Sequence, residues 1–413
     1  MKHIHIHNSS LSLSVTIPSS KSISNRLLLL QKTSGVPIVV ANLSTADDTK
    51  RLSDLLNCIE TASLSFSTPT FLYCENCGTA YRFLTAYLSC RQGLWTLEGN
   101  SNMQNRPIKA LVDTLKNAGA EIKYIHKSGF PPLQIKGKQL TTEYWKINSQ
   151  ESSQYVSAIA MILPLLCRNA VIEFSADTSS LQYIDMTIEL MRQTGLSISR
   201  NENLIQYIYE DKNRFPVLFS VEYDWSAAAV WFAFAALSPK ANLFISGLKK
   251  SKLQADSMIA QWMELFGVQT KYTEKGVHLI KTKEKIPHAL QLNCKNNLDL
   301  VPYLASHCVG LKIKAKLQNV KNLSIKESNR IHALTTELGK IATVKYNDNA
   351  LIIEPQDSLP ETIYFSSHND HRIAMALSIL SCCINDLYID NPECVAKSYP
   401  EYWENFAKIN TQN

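Results

Sequence analysis

Residues 225–237 read WSAAAVWFAFAAL, and the run Ala227-Ala228-Ala229-Val230-Trp231-Phe232-Ala233-Phe234 carries no polar side chain on any face. A helix that meets water shows a polar stripe, so a helix of this composition has to be enclosed on all sides by other structure. Five more segments share the character, at about 22–31, 79–90, 153–166, 299–310 and 370–383. Amphipathic segments alternate with them, such as Ile108, Leu111, Val112, Leu115 or Ile259, Trp262, Met263, Phe266. Four of these stop at Gly119, Gly195, Gly267 and Gly339, separated by 76, 72 and 72 residues, and glycine at each stop is expected to form a left-handed cap. Short apolar strands follow, as in Ile122 to Ile125 with Leu133 to Ile135, or Val268 to Lys271 with Val277 to Ile280. The period predicts an α/β chain of six repeated modules in two domains of three each. A crossover near Pro18 and a return near Tyr223-Asp224 would make one domain discontinuous, 1–18 plus 226–413, with 19–225 inserted as the other.

At 413 residues, 45% hydrophobic and 9% aromatic, the chain can bury sizeable cores, which excludes a disordered polyelectrolyte. Its 42 Lys and Arg against 36 Asp and Glu leave +6 without a concentrated basic stripe, so small anions suit it better than nucleic acid. No apolar run approaches the roughly 18 residues of a membrane span, and no signal-peptide block opens the chain, so a cytoplasmic location is expected. Ten scattered cysteines show no disulfide spacing and should mostly be reduced, buried thiols. Cys74 and Cys77 have redox or half-zinc spacing, but no second pair exists and no metal is expected. Alternating His3, His5 and His7 would share one strand face, a geometry able in principle to hold a transition metal; an exposed face is the plainer expectation.

Polar residues gather where the apolar segments begin: Ser19-Ser20-Lys21-Ser22, Asn76-Cys77-Gly78-Thr79, Ser152-Ser153-Gln154, Asp224-Trp225-Ser226, Asn297-Leu298-Asp299 and Asn369-Asp370-His371-Arg372. Ser, Asn and Asp there are ordinary caps worth about 1 kcal/mol each. Capping does not explain Lys21, Arg26, Arg82 or Arg372, because a cation near a helix start opposes the dipole at about 0.3 to 1 kcal/mol. Their recurrence in a duplicated unit points to bound phosphate or carboxylate. No Walker or dinucleotide motif occurs, so nucleotide hydrolysis and hydride transfer lose support. Lys326 and Arg330 flank Glu327, which reads as a plain helix start or as anion clamps beside a carboxylate able to move a proton.

These blocks, in this order, resemble the 5-enolpyruvylshikimate-3-phosphate synthase family: Lys21 to Arg26, Asn76 to Arg82, Arg106-Pro107-Ile108, Ser152 to Tyr155, Ser180 through Thr187, Asp299 with Pro302, Asn322 through Arg330, Asn369 to Arg372, and Lys397 to Pro400. The resemblance implies a two-domain inside-out α/β barrel, each domain three βαβαββ-type units with buried parallel helices, closing over a cleft. It implies that Lys21, Ser22, Arg26, Ser152, Ser153, Gln154, Ser180, Tyr183, Asp299, Asn322 and Lys326 hold shikimate 3-phosphate. Phosphoenolpyruvate would meet Lys21, Gly78, Arg106, Gln154, Arg330, Arg372 and Lys397. Both substrates carry phosphate and carboxylate groups, which Arg forks bind in bidentate fashion.

The implied chemistry is addition of a substrate hydroxyl to the enolpyruvyl carbon, protonation of the methylene, then loss of phosphate and of that proton. Glu327 would exchange the proton at carbon, and Asp299, assisted by Lys21, would take it from oxygen. No metal or cofactor is expected, and the working form is expected to be a monomer without nucleic-acid or membrane partners. Departures from the family pattern are Ser20, Glu75 in place of a common glycine, the bulky Tyr223-Asp224-Trp225, and Asn329 for a frequent aspartate. Glu75 would place negative charge beside an anion site and weaken phosphoenolpyruvate binding, while Gly78 keeps room for inhibitors such as glyphosate. The rival with the same chemistry, UDP-N-acetylglucosamine enolpyruvyl transferase, relies on a loop cysteine and a Lys-Asn pair, whereas Ser22 follows Lys21 and no cysteine lies near Arg106. A non-catalytic binder would not need Asp299 and Glu327, and a nucleic-acid-end binder would need aromatic-interleaved basic runs.

Overall fold

The computed structural model of the chain describes residues 1–6, 10–62, 67–211, 215–282 and 286–410, so His7 lies outside the described residues. Two compact units are present: Met1–Ser20, Thr45–Asp47 and Glu222–Asn413 form the first, Lys21–Ser44 and Asp48–Val221 the second.

The apolar run at 225–237 forms the helix Trp225–Leu237, in which every residue except Ser226 is buried. Asp224 caps it, its side chain accepting from the amides of Ser226 at 2.7 Å and Ala227 at 3.2 Å. Its alanines let neighbours approach closely, and Val301–Gly310 and the turn Ile379–Cys382 that continues His371–Ser378 pack against it. The other apolar segments become Lys21–Thr33, Gly78–Cys90, Ser153–Ile162, Val301–Gly310 and His371–Ser378, three of them extended by one 3-10 turn.

Each unit wraps such helices in small sheets built to one plan: a parallel strand pair followed by an antiparallel hairpin. In the first unit Ser10–Thr16 pairs parallel with Lys240–Ser246, which continues antiparallel into Gly276–Lys281 and Val268–Thr273. Ala289–Asn293, Lys314–Gln318, Ala350–Pro355 and Ala342–Asn347 repeat that order. In the second unit the same order is built by Thr70–Tyr73, Gly93–Glu98, Leu133–Gly137 and Glu121–Tyr124, and again by Tyr144–Ile147, Ala170–Phe174, Leu204–Ile208 and Ser197–Asn201. The third sheet of each unit is abbreviated among the described residues. Lys2–Ile4, Asp386–Ile389 and Thr362–Phe365 form one, and the parallel pair Ile38–Ala41 with Val217–Ser220 the other. Strict alternation of buried and exposed residues, as along Ser10–Thr16, turns one face of each strand to the helices. The result in each unit is helices inside and sheets outside.

Where the chain leaves and re-enters the first unit, the two passages run side by side. Ser20 donates its amide to the Glu222 carbonyl at 2.7 Å and Asp224 to the Pro18 carbonyl at 2.9 Å. Tyr223 is accommodated because Gly247, at φ 73°, has no Cβ; one there would come within 2.8 Å of the tyrosine ring.

The glycine stops correct one expectation. Gly119, Gly195 and Gly267 adopt left-handed φ values of 96°, 82° and 76°, whereas Gly339 lies inside the 3-10 turn Leu338–Lys340 and has no positive φ. Neither Gly195 nor Gly339 has an atom within 4 Å of a Cβ placed on it. The same substitution should therefore act oppositely at the two sites. Gly195→Ala is expected to destabilise by about 1 kcal/mol or more through left-handed strain. Gly339→Ala is expected to be neutral or stabilising by up to about 1 kcal/mol through unfolded-state entropy. Denaturant unfolding of the two variants checks this.

Candidate active site

In the second unit, three helix starts carry the expected residues. Lys21 is the first residue of Lys21–Thr33, and its ammonium donates to Asp48 Oδ2 at 2.9 Å. Asp48, buried near the start of Asp47–Thr61, was not among the expected residues, and it offsets the charge that Lys21 sets against the helix dipole. Arg26 is wholly buried and acts as a strut between three helices. It donates to Thr187 Oγ1 at 2.7 Å, to the Ser22 carbonyl at 2.9 Å, to the Tyr183 carbonyl at 3.2 Å and to Ser157 Oγ at 3.4 Å. The rings of Phe83 and Tyr183 lie 5.6 Å from its guanidinium carbon. Burial, partly countered by Tyr183, lowers its pKa to about 10.

Gln154 links two of the helices: Arg82 donates to its Oε1 at 3.0 Å, and its Nε2 donates to Thr79 Oγ1 at 3.1 Å. Ser152 caps Ser153–Ile162 by accepting from the Gln154 amide at 3.2 Å, and Ser153 begins the helix. Cys77, rather than Asn76, caps Gly78–Cys90, its sulfur accepting from the Ala80 amide at 3.4 Å. All ten cysteines are free thiols, and Cys58, Cys167 and Cys383 are exposed, a departure from the buried placement expected. Gly78 is required by proximity: a Cβ there would lie 2.6 Å from Arg106 Cζ and 2.6 Å from Arg82 Nη1. Two buried guanidinium groups thus gather at one helix start that has no acidic residue in its first turn. Ser180 holds a left-handed φ of 58°, and its carbonyl accepts from the Tyr183 amide at 3.1 Å. Glu75 is also left-handed, at 53°, the region glycine occupies without strain, and its carboxylate pairs with Arg51. Its charge is therefore met by a cation of its own.

In the first unit the acidic and basic residues form one lattice centred on Arg330. That guanidinium is fully buried and donates to Asp370 at 2.8 and 3.1 Å, to Asp299 Oδ1 at 2.9 Å and to Glu327 Oε2 at 2.7 Å. Arg372 donates to Asp299 Oδ2 at 3.0 Å, and the Lys326 ammonium lies 3.7 Å from Asp299 Oδ1. Asp370 also caps His371–Ser378 through the Arg372 amide at 3.0 Å and accepts from Ser328 Oγ at 3.0 Å. Asn329 caps Arg330–Glu337 by accepting from the His332 amide at 3.1 Å, so it does the work an aspartate would do there. Asn322 is half-buried in the turn Lys321–Ile325, which packs on Arg330–Glu337; Lys397 ends the turn Pro392–Lys397, which packs on His371–Ser378.

The lattice sets protonation in opposite directions. Burial alone would raise the Asp299 carboxyl, but Arg372, Lys326 and Arg330 outweigh it and hold the pKa well below the usual carboxylate range. Asp256 is pushed up to about 6 by burial and by the Asp299 carboxylate, against the pull of Arg372 and a hydrogen bond from Ser226. Asp256 was another residue the sequence reading passed over, since nothing local sets it apart from a surface aspartate.

Buried helices, duplicated α/β modules and carboxylates gripped by guanidinium groups define an enzyme that handles small anions with acid–base chemistry. Residues 7–406 match the family model EPSP synthase (3-phosphoshikimate 1-carboxyvinyltransferase), and the chain belongs to that family. It is similar to the 3-phosphoshikimate 1-carboxyvinyltransferase of Bacteroides fragilis, 35% identical over 99% of this chain and 98% of that protein. That of Vibrio cholerae is 31% identical over 96% of each. Two solved structures share the fold. EPSP synthase from Acinetobacter baumannii has a TM-score of 0.72, 19% identity and coverage of 99% and 98%; the enolpyruvyl transferase NikO from Streptomyces tendae has 0.73, 13%, and 98% and 96%.

Because the folded pKa of Asp256 lies above that of an unfolded aspartate near 3.9, the group destabilises the fold where it must ionise, at neutral pH. The penalty fades as pH falls through 6 toward 4. Asp256→Asn is expected to be more stable than the parent at pH 7 by about 2 kcal/mol, with the gap closing by pH 4, as urea unfolding across that range will read.

Proposed function

We infer that the chain transfers the enolpyruvyl group of phosphoenolpyruvate to the 5-hydroxyl of shikimate 3-phosphate, yielding 5-enolpyruvylshikimate 3-phosphate and phosphate in the shikimate pathway to chorismate and the aromatic amino acids. Beyond family membership, the observation that supports this reading is that Asp299 and Glu327 hold the same buried guanidinium, with Arg372 and Lys326 also directed at Asp299. Two carboxylates are thereby fixed in a cationic setting, as proton transfer beside anionic substrates requires.

In the proposed sequence the 5-hydroxyl oxygen bonds to C2 of phosphoenolpyruvate as its proton passes to Asp299, assisted by Lys21. Glu327 gives a proton to C3, forming the tetrahedral adduct. Glu327 then takes a proton back from the C3 methyl group while the C2–O bond to phosphate breaks, and the proton held by Asp299 leaves with the phosphate, which returns both carboxyl groups to their starting states. No oxidation state changes overall, so the steps call for no redox cofactor. Shikimate 3-phosphate is assigned to Lys21, Ser22, Ser152, Ser153, Gln154, Ser180, Tyr183, Asp299, Asn322 and Lys326, with Arg26 acting through Ser22 and Tyr183. Phosphoenolpyruvate is assigned to Lys21, Gly78, Arg106, Gln154, Arg330, Arg372 and Lys397. The working form is taken as a cytoplasmic monomer; among the described residues no helix is long and apolar enough to cross a membrane.

Phosphate release that requires both substrates tests the activity, and no release with the pair overturns it. Glu327→Gln is expected to lower turnover by about two to four orders of magnitude with substrate binding largely kept; unchanged turnover would remove Glu327 from the steps. Gly78→Ala should push the Arg106 and Arg82 guanidinium groups aside. It is expected to raise KM for phosphoenolpyruvate by about tenfold or more, since a displacement near 1 Å is enough for such losses. Steady-state kinetics at saturating shikimate 3-phosphate reads that change.

A further inference from the structure

Away from these residues, on the three-stranded sheet of the first unit, the side chains of His3, His5 and Asp386 converge, with one ligand atom from each lying within 4.8 Å of the others. The strand Lys2–Ile4 runs antiparallel to Asp386–Ile389, with His3 opposite Tyr388. Alternation along Lys2–Ile4 buries Ile4 and leaves the His3 side chain 47% exposed, while the Lys2 ammonium lies over the Trp403 ring at 5.2 Å. His3 stacks on Tyr388 at 4.6 Å between ring centroids, and Tyr388 stacks on Tyr364 at 4.7 Å, so the imidazole rests on an aromatic ladder. Its Nε2 is 2.9 Å from Asp386 Oδ1. That contact is a hydrogen bond, and since donors on one metal at bonds of about 2.0–2.1 Å sit about 2.9–3.4 Å apart, an ion replacing its proton would need little movement of either side chain. His5 is anchored as well: its Nδ1 contacts the Asn385 carbonyl, which can only accept, so Nδ1 is the donor there. A backbone carbonyl that holds one ring nitrogen is a common way for proteins to orient a metal-bound imidazole.

We propose that His3, His5 and Asp386 form a surface site for a first-row divalent transition metal of the zinc or nickel kind, separate from the enolpyruvyl-transfer residues. Two imidazoles and one carboxylate suit these ions better than calcium or magnesium, which take oxygen donors. Water completes the coordination, and the ion ties the amino-terminal strand to Asp386–Ile389.

Calorimetric titration of the full chain with Ni²⁺ tests this. One saturable equivalent is expected, weakened by at least about tenfold in each of His3→Ala, His5→Ala and Asp386→Asn. Because Asp386 joins the two histidines only in the folded chain, the fold should hold the ion more tightly than the unfolded chain, and Ni²⁺ should raise the thermal midpoint of the parent more than that of any variant. Midpoints without metal show that the variants fold, and phosphate release should be unchanged in all three. Absence of the equivalent, or undiminished affinity in any one variant, overturns the proposal.

Discussion

A helix that is apolar on every side can meet water only at its ends, and that constraint shapes both units. Trp225–Leu237 has no face to offer solvent, so sheets and partner helices must cover it all round. Within the second unit Lys21–Thr33, Gly78–Cys90 and Ser153–Ile162 pack against one another for the same reason. The only places where such helices can present polar groups are their termini. Charged side chains such as Lys21 and Arg372 stand at or beside those starts, because the rest of the helix surface is used for packing.

Helix starts also impose an electrostatic condition, which the two units meet differently. In the second unit Lys21 is paired with Asp48, but the buried Arg26 lies among neutral partners: it is bonded to hydroxyls and carbonyls, and burial lowers its pKa to about 10. In the first unit Arg330 is bonded to Asp299, Glu327 and Asp370, and these carboxylates raise its pKa above the ordinary value despite its burial. One arginine is a proton-bearing strut that neutral dipoles sustain; the other is the hub of an ion lattice. Removing one member of such a lattice leaves a buried charge uncompensated, so its members are coupled and their effects should not add.

Helix positions and strand pairs were legible because they depend on local periodicity: the segment expected at 79–90 is the helix Gly78–Cys90, and Val268 with Val277 do begin and join one hairpin. The pairings of the charged residues were not, because they join distant parts of the chain. Lys21 meets Asp48, Arg330 meets Asp370 and Arg372 meets Asp299, and no spacing rule links these positions. By sequence these are cations awaiting an anion, whereas in the structure Lys21, Arg330 and Arg372 are already engaged by carboxylates. Gly339 differs from expectation because its turn, which begins at the buried Leu338, tightens into a 3-10 form that needs no left-handed residue.

That engagement bears on how Asp299 could accept a proton. Held by Arg372, Lys326 and Arg330, its carboxylate is far too weak a base for a hydroxyl near neutral pH. The cations that weaken it are the groups proposed to take the negative charges of the substrates. If substrate phosphate and carboxylate oxygens share Arg372 and Lys326 as proposed, the field on Asp299 would fall and its proton affinity would rise. Linkage makes the effect reciprocal: whatever favours a proton on Asp299 also favours the anions on its neighbours. On that assignment, a carboxylate buried among cations would stay ionised until substrates arrive and would gain basicity from the same binding event that delivers the hydroxyl.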